Sequence, residues 1–116
     1  MSQLIHHAVF YVEFPAPDLT AIKQFYKGVF GWTFQDYGPA YLAFEDGQLS
    51  GGFYQTDSPP GFGALVVLWS DGLEATQAAI EAVGGIISKP IFAFPGGRRF
   101  HFIDPGGNEL AVCGSE

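Results

Sequence analysis

Four titratable side chains lie where predicted strands could present them for acid–base chemistry. Glu13 and Glu109 are both on predicted strands, and two carboxyl groups brought close together raise the pKa of one, which creates a general acid. His7 and His101 add imidazoles, which titrate near neutral pH and can accept or donate a proton. Glutamate is seldom fully buried, so the simpler alternative for both carboxylates is solvated charge near strand ends.

Each histidine also has a structural alternative. His6 and His7 are adjacent on the predicted first strand, so they point to opposite sides of it and cannot bind one ion together. His7 shares its face with Tyr11 and Glu13, which favours a binding role; a surface position near a strand end is the alternative. His101 is predicted either as an acid or base or as the hydrogen-bond partner of a neighbouring carbonyl.

Two adjacent arginines, Arg98 and Arg99, follow a glycine-rich turn. Exposed backbone amides and a guanidinium group together can hold a carboxylate or phosphate. Adjacent strand residues face opposite ways, so at most one arginine reaches a cleft; we place Arg98 among the ligand contacts, with Arg99 as its alternative. The preceding loop at 92–97 is either a mobile lid or a plain hairpin connection. Trp69 could stack on a planar ligand, although aromatic residues more often belong to a core.

Other reactive groups give no further site. Cys113 is the only cysteine, and a reactive thiolate needs a cationic neighbour that the sequence does not indicate, so we predict a buried structural thiol. We find no nucleophile–base pair, phosphate-binding loop or cofactor motif. The predicted ligand-binding side chains are His7, Tyr11, Glu13, Trp69, Arg98, His101 and Glu109.

The first half of the chain predicts one helix among four strands. Residues 5–14 alternate so that one face is wholly apolar and packs on a helix, while the other carries the polar side chains. Asp18 is the predicted helix N-cap, and Gly31 ends the helix. Residues 32–37, 41–45 and 51–55 are the next strands, and Asp46-Gly47 favours a type I′ turn.

The second half repeats this order. A strand at 62–70, a helix ending at Gly84, a short strand at 86–89 and strands at 98–103 and 109–113 follow one another. Asp18 precedes Gly31 by 13 residues, and Asp71 precedes Gly84 by the same 13. These parallels indicate an internal repeat of roughly 50 residues.

The repeat predicts an α+β fold. Two β-α-β-β-β modules form a curved eight-stranded mixed sheet around a concave cleft, with the helices on the outer face. Residues 1–116 are predicted as a single domain, with module 1 at about 1–56, a linker at 57–61 and module 2 at about 62–116. A chain of 116 residues can bury an adequate core for one domain.

Composition narrows the class of partner. Hydrophobic residues make up 47% and charged residues 15%, which is typical of a packed globular chain. A net charge of −7 argues against nucleic acid and anionic membranes, and is compatible with a cationic small ligand. No secretory signal and no run of about 18 apolar residues occurs. With a single cysteine, the chain is predicted to be cytoplasmic, with a small-molecule ligand.

Several short motifs, in order along the chain, resemble those of one family. The segment FYKGVFGW at 25–32, preceded by Asp18-Leu19, resembles the "D-L, F-Y, V-F-G-W" segment of the vicinal oxygen chelate superfamily. The segment DPGGNEL at 104–110 is similar to that superfamily's C-terminal hairpin, and Gly84-Gly85 and the run at 94–102 resemble its glyoxalase-related branch. The superfamily includes lactoylglutathione lyase, extradiol dioxygenases, and fosfomycin- and bleomycin-resistance proteins. The resemblance also implies a homodimer.

The resemblance implies a divalent metal held by His, Glu or Gln from four strands, where it acts as a Lewis acid. Carried over position by position, those ligands fall on Tyr11, Ala64 and Ala111, and on either Gly52 or Phe53. Alanine, glycine and phenylalanine offer no lone pair, and tyrosine alone is a poor ligand for such an ion. We therefore expect no metal and no other cofactor.

The resulting hypothesis is a small-molecule binding protein of the glyoxalase/bleomycin-resistance type without the family's metal centre. One alternative is a metal-dependent lyase, isomerase or dioxygenase with displaced ligands, which would be His7, Glu13, His101 and Glu109. Another is a drug-sequestering resistance protein whose acidic cleft attracts a cationic ligand. The residues do not identify a substrate, since this superfamily hosts several chemistries on one scaffold.

Overall fold

A computed structural model describes residues 4–57, 63–105 and 107–115 of the protein. In chain order its elements are β1 (Val9–Ala16), α1 (Leu19–Phe30), β2 (Thr33–Asp36), β3 (Tyr41–Glu45), β4 (Ser50–Gln55), β5 (Leu65–Trp69), α2 (Leu73–Ala82), β6 (Ile86–Phe94), β7 (Gly97–Ile103) and β8 (Glu109–Gly114). The order β-α-β-β-β occurs twice, so the α+β class and the repeat are confirmed. Among the described residues, no helix has the length and apolar character needed to cross a membrane.

The chain divides into two compact units. We call Tyr11–Leu65 the first unit, and the described residues of Met1–Phe10 and Val66–Glu116 the second unit. Residues 4–10 therefore belong with the second repeat. Of the predicted linker at 57–61, only Asp57 lies within the described residues. The predicted strand at 62–70 lies within them from residue 63 onward. The single domain and its module boundaries stay predictions.

The strands of the first unit mix both directions. Their order is β2-β3-β4-β1, with β1 parallel to β4 and β3 antiparallel to both of its neighbours. Tyr11 lies opposite Ser50 in the parallel register, and Tyr41 lies opposite Tyr54 in the antiparallel one. β4 is therefore the common neighbour of β1, which carries Tyr11 and Glu13, and of β3, which begins at Tyr41.

The core of the first unit is largely aromatic. Phe44 and Phe53 are buried, and the Trp32 ring stacks on Phe44 at 4.5 Å and on Tyr26 of α1 at 4.6 Å. α1 begins and ends at its two predicted caps. Asp18 accepts a hydrogen bond from the Ala21 amide at 3.1 Å, and Gly31 has a φ of 72°. Three large apolar side chains of α1 are nevertheless exposed: Phe25, Val29 and Phe30.

The second unit has the strand order β5-β8-β7-β6, with β5 parallel to β8 and the other pairs antiparallel. Leu73 of α2 packs with Phe100 and Val112, which are buried on β7 and β8. Side chains alternate along a strand, so the residues next to Phe100 and Val112 point away from α2. We call the surface that these residues form the polar face; on it lie Arg99, His101, Glu109, Ala111 and Cys113.

β1 and β6 differ most in extent from their prediction. β1 begins at Val9 and not at residue 5, because the Ala8 amide bonds to the Ile5 carbonyl at 3.1 Å and closes a turn in which His7 has a φ of 66°. β6 continues past Lys89 to Phe94. Shifts in its register around Lys89 accommodate Pro90, which an edge strand tolerates because one side of its ladder is not used.

Two turns also differ. A type I′ turn needs positive φ at both central residues, but of Asp46 and Gly47 only Gly47 has it, at 101°. The Asp46 carboxylate instead accepts hydrogen bonds from the amides of Gln48 at 2.8 Å and Leu49 at 2.6 Å. β6 and β7 are joined by a turn at 95–96, so the segment 92–97 is a hairpin and not a lid.

Candidate functional site

The second unit contains a hydrogen-bonded acid–base pair, His101 and Glu109. His101 is on β7 opposite Ala111, and Glu109 is on β8 opposite Ile103, so the two functional side chains are diagonal neighbours on the polar face. The His101 Nδ1 atom lies 2.9 Å from the Glu109 Oε2 atom. The antiparallel ladder therefore fixes the contact between an imidazole and a carboxylate.

Burial and hydrogen bonding define the protonation of this pair. A carboxylate can only accept, so Nδ1 of His101 carries the proton that it shares with Glu109. Burial lowers the pKa of His101, and the positive charges of Arg99 and Lys89 lower it further. The hydrogen bond that His101 donates to Glu109 raises this pKa but does not outweigh burial. The imidazole is therefore neutral at pH 7, with a lone pair on Nε2.

The Nε2 atom of His101 is buried and has no hydrogen-bond partner among the described residues. The His101 side chain is 5% exposed, whereas that of Glu109 is 22% exposed. Buried polar atoms are normally satisfied by protein, ligand or water, so a buried acceptor without a protein partner indicates a position for a bound group. A neutral imidazole oriented by a carboxylate is also the usual arrangement of a general base.

Aromatic rings and a guanidinium group surround the pair. The Arg99 Cζ atom lies 5.6 Å from the Phe92 ring centroid and 5.5 Å from that of Phe94, within the range of cation–π contacts. The Phe92 ring is also 5.9 Å from the His101 ring. The Ser88 hydroxyl donates to Glu109 at 3.4 Å. Around His101 the second unit thus offers positive charge and flat apolar surface.

The two arginines point to opposite sides of β7, as their adjacency predicts. Arg98 lies on the side of α2, where its Nη1 and Nη2 atoms donate to the two carboxylate oxygens of Glu74 at 2.5 and 3.3 Å. Arg99 lies on the polar face with His101. Arg98 is thus engaged by Glu74, whereas Arg99 lies near His101; the assignment of Arg98 to the ligand contacts stays a prediction.

The first unit contains a second polar group, a chain of two phenols ending on a carboxylate. Tyr41 donates to the Glu13 Oε2 atom at 2.8 Å, and the Tyr41 and Tyr11 hydroxyl oxygens are 2.6 Å apart. Since Tyr41 has one proton and gives it to Glu13, Tyr11 is the donor between the two phenols. Burial raises the pKa of Tyr41 far above its usual range, and the contacts with Tyr11 and Glu13 act in the same direction.

The same phenols explain a glycine of β4. A Cβ atom at Gly52 would overlap the hydroxyl oxygen and ring of Tyr41 and would approach the Tyr11 hydroxyl to 2.6 Å. The next residue back, Gly51, is confined in the same way by the Phe44 ring and the Val12 carbonyl. Glycine is therefore required at position 52 because the hydroxyl groups fill the space of a side chain.

The residues at the four family positions do not fit a divalent metal. At position 52 the space of a ligand side chain is filled by phenols, Phe53 is buried in the aromatic core, and Ala64 and Ala111 have no ligand atom. Tyr11 has an oxygen, but its hydroxyl group is hydrogen-bonded to Tyr41 at 2.6 Å, and tyrosine alone is a poor ligand for such an ion. In the described parts of the chain, no group of three or more His, Cys, Asp or Glu side chains is arranged to hold a metal ion.

His6 and His7 do not take the places expected from a strand. They lie in the turn before β1, and their rings stack with centroids 3.7 Å apart, which corrects the prediction that they face opposite ways. The His7 Nε2 atom is 3.1 Å from the Thr76 hydroxyl, and the His6 Nδ1 atom accepts from the Asp71 amide at 2.9 Å. Both histidines thus attach residues 4–8 to the beginning of α2.

Trp69 and Cys113 are both engaged within the second unit. The Trp69 indole donates to the Asp71 carboxylate at 2.9 Å and meets the Phe10 ring edge-on at 5.6 Å, and its role in ligand binding stays a prediction. The N-cap of α2 is Gly72. Cys113 is buried, as predicted.

Sequence reasoning missed two residues of the candidate sites. Tyr41 is predicted only as part of a strand; the signal for a role is a hydroxyl-bearing ring at the start of that strand, followed by three apolar residues. Phe92 was assigned to a loop because Pro90 masked the continuation of β6. Neither the phenol contact with Glu13 nor the ring contact with His101 follows from spacing along the chain.

Comparisons with known proteins agree with this fold. The model of the Glyoxalase/Bleomycin resistance protein/Dioxygenase superfamily matches residues 4–112. No curated protein matches the chain. A superfamily member of this description from Vibrio splendidus 12B01 superposes with a TM-score of 0.72 at 14% identity, covering 94% of this chain and 99% of that one.

Two further solved structures have printed activities. Methylmalonyl-CoA epimerase from Mycobacterium tuberculosis gives a TM-score of 0.71 at 11% identity, covering 100% of this chain and 93% of that one. The Mn(II)-bound glyoxalase from Novosphingobium aromaticivorans gives 0.70 at 24% identity and covers 94% of this chain, which spans only 39% of that protein. At these identities the likeness concerns the fold alone.

Proposed function

Because the chain belongs to the glyoxalase/bleomycin resistance protein/dioxygenase superfamily, we propose that it binds a small molecule through protein side chains and without a divalent metal. The observation that carries this proposal is the contact of Gly52 with Tyr41 and Tyr11. Hydroxyl groups occupy the space of a ligand side chain there, and no side chain can be added without displacing them.

The remaining donor atoms support the same proposal. The displaced-ligand alternative needs His7, His101, Glu13 and Glu109 to coordinate an ion. His7 is bonded to Thr76, and His101 is bonded to Glu109. Glu13 accepts from Tyr41. A metal ion would therefore have to compete with existing hydrogen bonds at each of these positions.

A metal assay tests the proposal directly. Protein purified without chelator should contain far less than one divalent ion per chain by elemental analysis. Titration of chelator-treated protein with Mn²⁺, Ni²⁺ or Zn²⁺ should leave its unfolding midpoint unchanged. A real site filled at 100 times its Kd would add about 2.7 kcal/mol to the free energy of unfolding. One tightly bound ion per chain would overturn the proposal.

The variant Glu13→Gln is the matched control for that assay. It keeps an oxygen that can accept the Tyr41 proton but removes the negative charge that a cation would need. If the protein binds no metal, Glu13→Gln and the unchanged chain should give the same metal content and the same titration. A bound ion lost on this substitution would instead identify Glu13 as a displaced ligand.

Turnover separates the enzymatic alternatives. A metal-dependent lyase, isomerase or dioxygenase would convert a hemithioacetal or catechol only after nickel, zinc or iron is added. Stoichiometric binding without product would instead favour sequestration, and the net charge of −7 favours a cationic ligand for it. The homodimer and the cytoplasmic location expected from the sequence stay predictions.

A further inference from the structure

The second unit holds a hydrogen-bond acceptor that its own described residues leave unused. His101 is directed by Glu109 through its Nδ1 atom, at 2.9 Å, so its Nε2 atom presents a lone pair. With a side chain only 5% exposed, this nitrogen has little access to bulk water. A buried acceptor costs free energy unless something donates to it, so its place on the polar face favours a ligand that carries a proton.

We propose that Nε2 of His101 is the proton acceptor for a weakly acidic O–H group, a phenol or an enol, on the small molecule that the protein binds. The inference rests on the proposed function and specifies its ligand class. The O–H bond breaks, the proton moves to Nε2, and the electron pair stays on the ligand oxygen. The resulting imidazolium is balanced by the Glu109 carboxylate, and the transfer reverses when the ligand leaves.

The charges around His101 favour the anion that this transfer creates. Within the second unit, Glu109 faces the imidazole from β8, Arg99 is two residues away on β7, and Lys89 is its register partner on β6. One negative and two positive side chains leave an excess of positive charge beside Nε2. A neutral phenol would gain little from these groups, whereas a phenolate would be attracted to them.

The rings near His101 favour a planar ligand. Phe92 lies 5.9 Å from the imidazole, and the Arg99 guanidinium lies over both Phe92 and Phe94. A flat conjugated group can stack on such rings and on the guanidinium plane. An aliphatic alcohol has neither the required acidity nor the flat surface.

The probe is 4-nitrophenol, whose anion absorbs visible light and so reports the proton transfer itself. Metal-free protein is titrated into a solution of the probe at a pH below the probe's own pKa, and binding is followed by calorimetry. We expect the phenolate band to grow in proportion to the bound fraction. The substitution His101→Gln should abolish the band and weaken binding about tenfold or more. His6→Gln, which changes a histidine bonded to the Asp71 amide, should leave both unchanged.

A second measurement does not require the variant His101→Gln to fold. Nitrogen NMR of the unchanged protein should show His101 neutral at pH 7 with its proton on Nδ1, and Glu109→Gln should weaken that preference and reduce the phenolate band. A proton on Nε2, absence of probe binding, or binding without the phenolate band would each overturn the inference. Binding that requires added metal would instead overturn the proposed function.

Discussion

The hydroxyl group of Tyr41 fills the space that a side chain at position 52 would need. Gly52 therefore leaves room for the Tyr41 phenol, and the phenol leaves no room for a side chain at position 52. The two are diagonal neighbours on β3 and β4, since Tyr41 pairs with Tyr54 and Gly52 pairs with Ala43. The absent side chain lets the Tyr41 phenol cross β4 to the Glu13 carboxylate, 2.8 Å away. The pair thus connects a glycine of β4 with the chain of two phenols that ends on Glu13.

The first prediction concerns this contact. Gly52→Ala should lower the free energy of unfolding by about 1–3 kcal/mol, because the new methyl group overlaps the Tyr41 ring and the Tyr11 hydroxyl. Chemical denaturation measures the change. The matched control is Gly28→Ala in α1, where nothing lies within 4 Å of an added Cβ, so the substitution should stabilise the helix by up to about 1 kcal/mol. Equal stability of both variants would contradict the contact.

The second prediction concerns ionisation of Tyr41. Burial, helped by its contacts with Tyr11 and Glu13, raises the pKa of this phenol in the folded state, so its contribution to stability is complete below the ordinary tyrosine pKa, about 10. That contribution is lost progressively as pH rises above this value. Ultraviolet titration should therefore show Tyr41 ionising only when the protein unfolds.

The substitution Tyr41→Phe tests the same phenol. It should remove the delayed ionisation from the titration and lower the free energy of unfolding at pH 7 by about 1–2 kcal/mol, because Tyr11 and Glu13 both lose a partner. Tyr37→Phe, on an exposed side chain, is the control and should leave the delayed ionisation of Tyr41 in place. A normal titration of all tyrosines in the folded protein would refute the phenol chain.

The third prediction concerns the loop after β3. Hydrogen bonds from the amides of Leu49 and Gln48 lower the pKa of Asp46, so its contribution to stability is present above the unfolded value, about 3.9, and is lost as pH falls through the folded pKa. Asp46→Asn keeps an accepting oxygen and should remove this acid-dependent part with little change at pH 7. Asp46→Ala removes both bonds and should cost about 1 kcal/mol.

Denaturation curves between pH 2 and pH 7 measure that prediction. Asp36→Asn is the control, because Asp36 is bonded to the Lys23 side chain and not to a loop amide. This variant keeps Asp46 and its amide bonds, so the acid limb that Asp46 produces should stay in place. An acid limb that is the same in Asp46→Asn as in the unchanged chain would contradict the loop geometry.

Much of the fold was predictable because local patterns agree with it. Asp18 and Gly31 bound α1 as expected, since a carboxylate N-cap and a left-handed glycine are satisfied by neighbouring residues. Residues 5–8 form a turn and not the predicted strand, because the Ala8–Ile5 hydrogen bond and the positive φ of His7 depend on backbone conformation and not on residue type. β6 was cut short because the tolerance of an edge strand for Pro90 depends on its neighbours.

The candidate site was predictable only in part. Alternation placed Tyr11 with Glu13 and separated Arg98 from Arg99, because side chains of a strand point alternately to its two faces. It could not tell which arginine lies on the side of α2, because that depends on which face of β7 the helix covers. The ion pair of Arg98 with Glu74 settles it.

The amino-acid sequence by itself determined the repeat, the family and the absence of donor atoms at Ala64 and Ala111, because these are properties of residue type and order. Only the tertiary structure decided that Tyr41 fills the space beside Gly52 and that Glu109 orients His101. Register between strands places those pairs in contact, and register follows from the packing of whole strands, which no short segment contains.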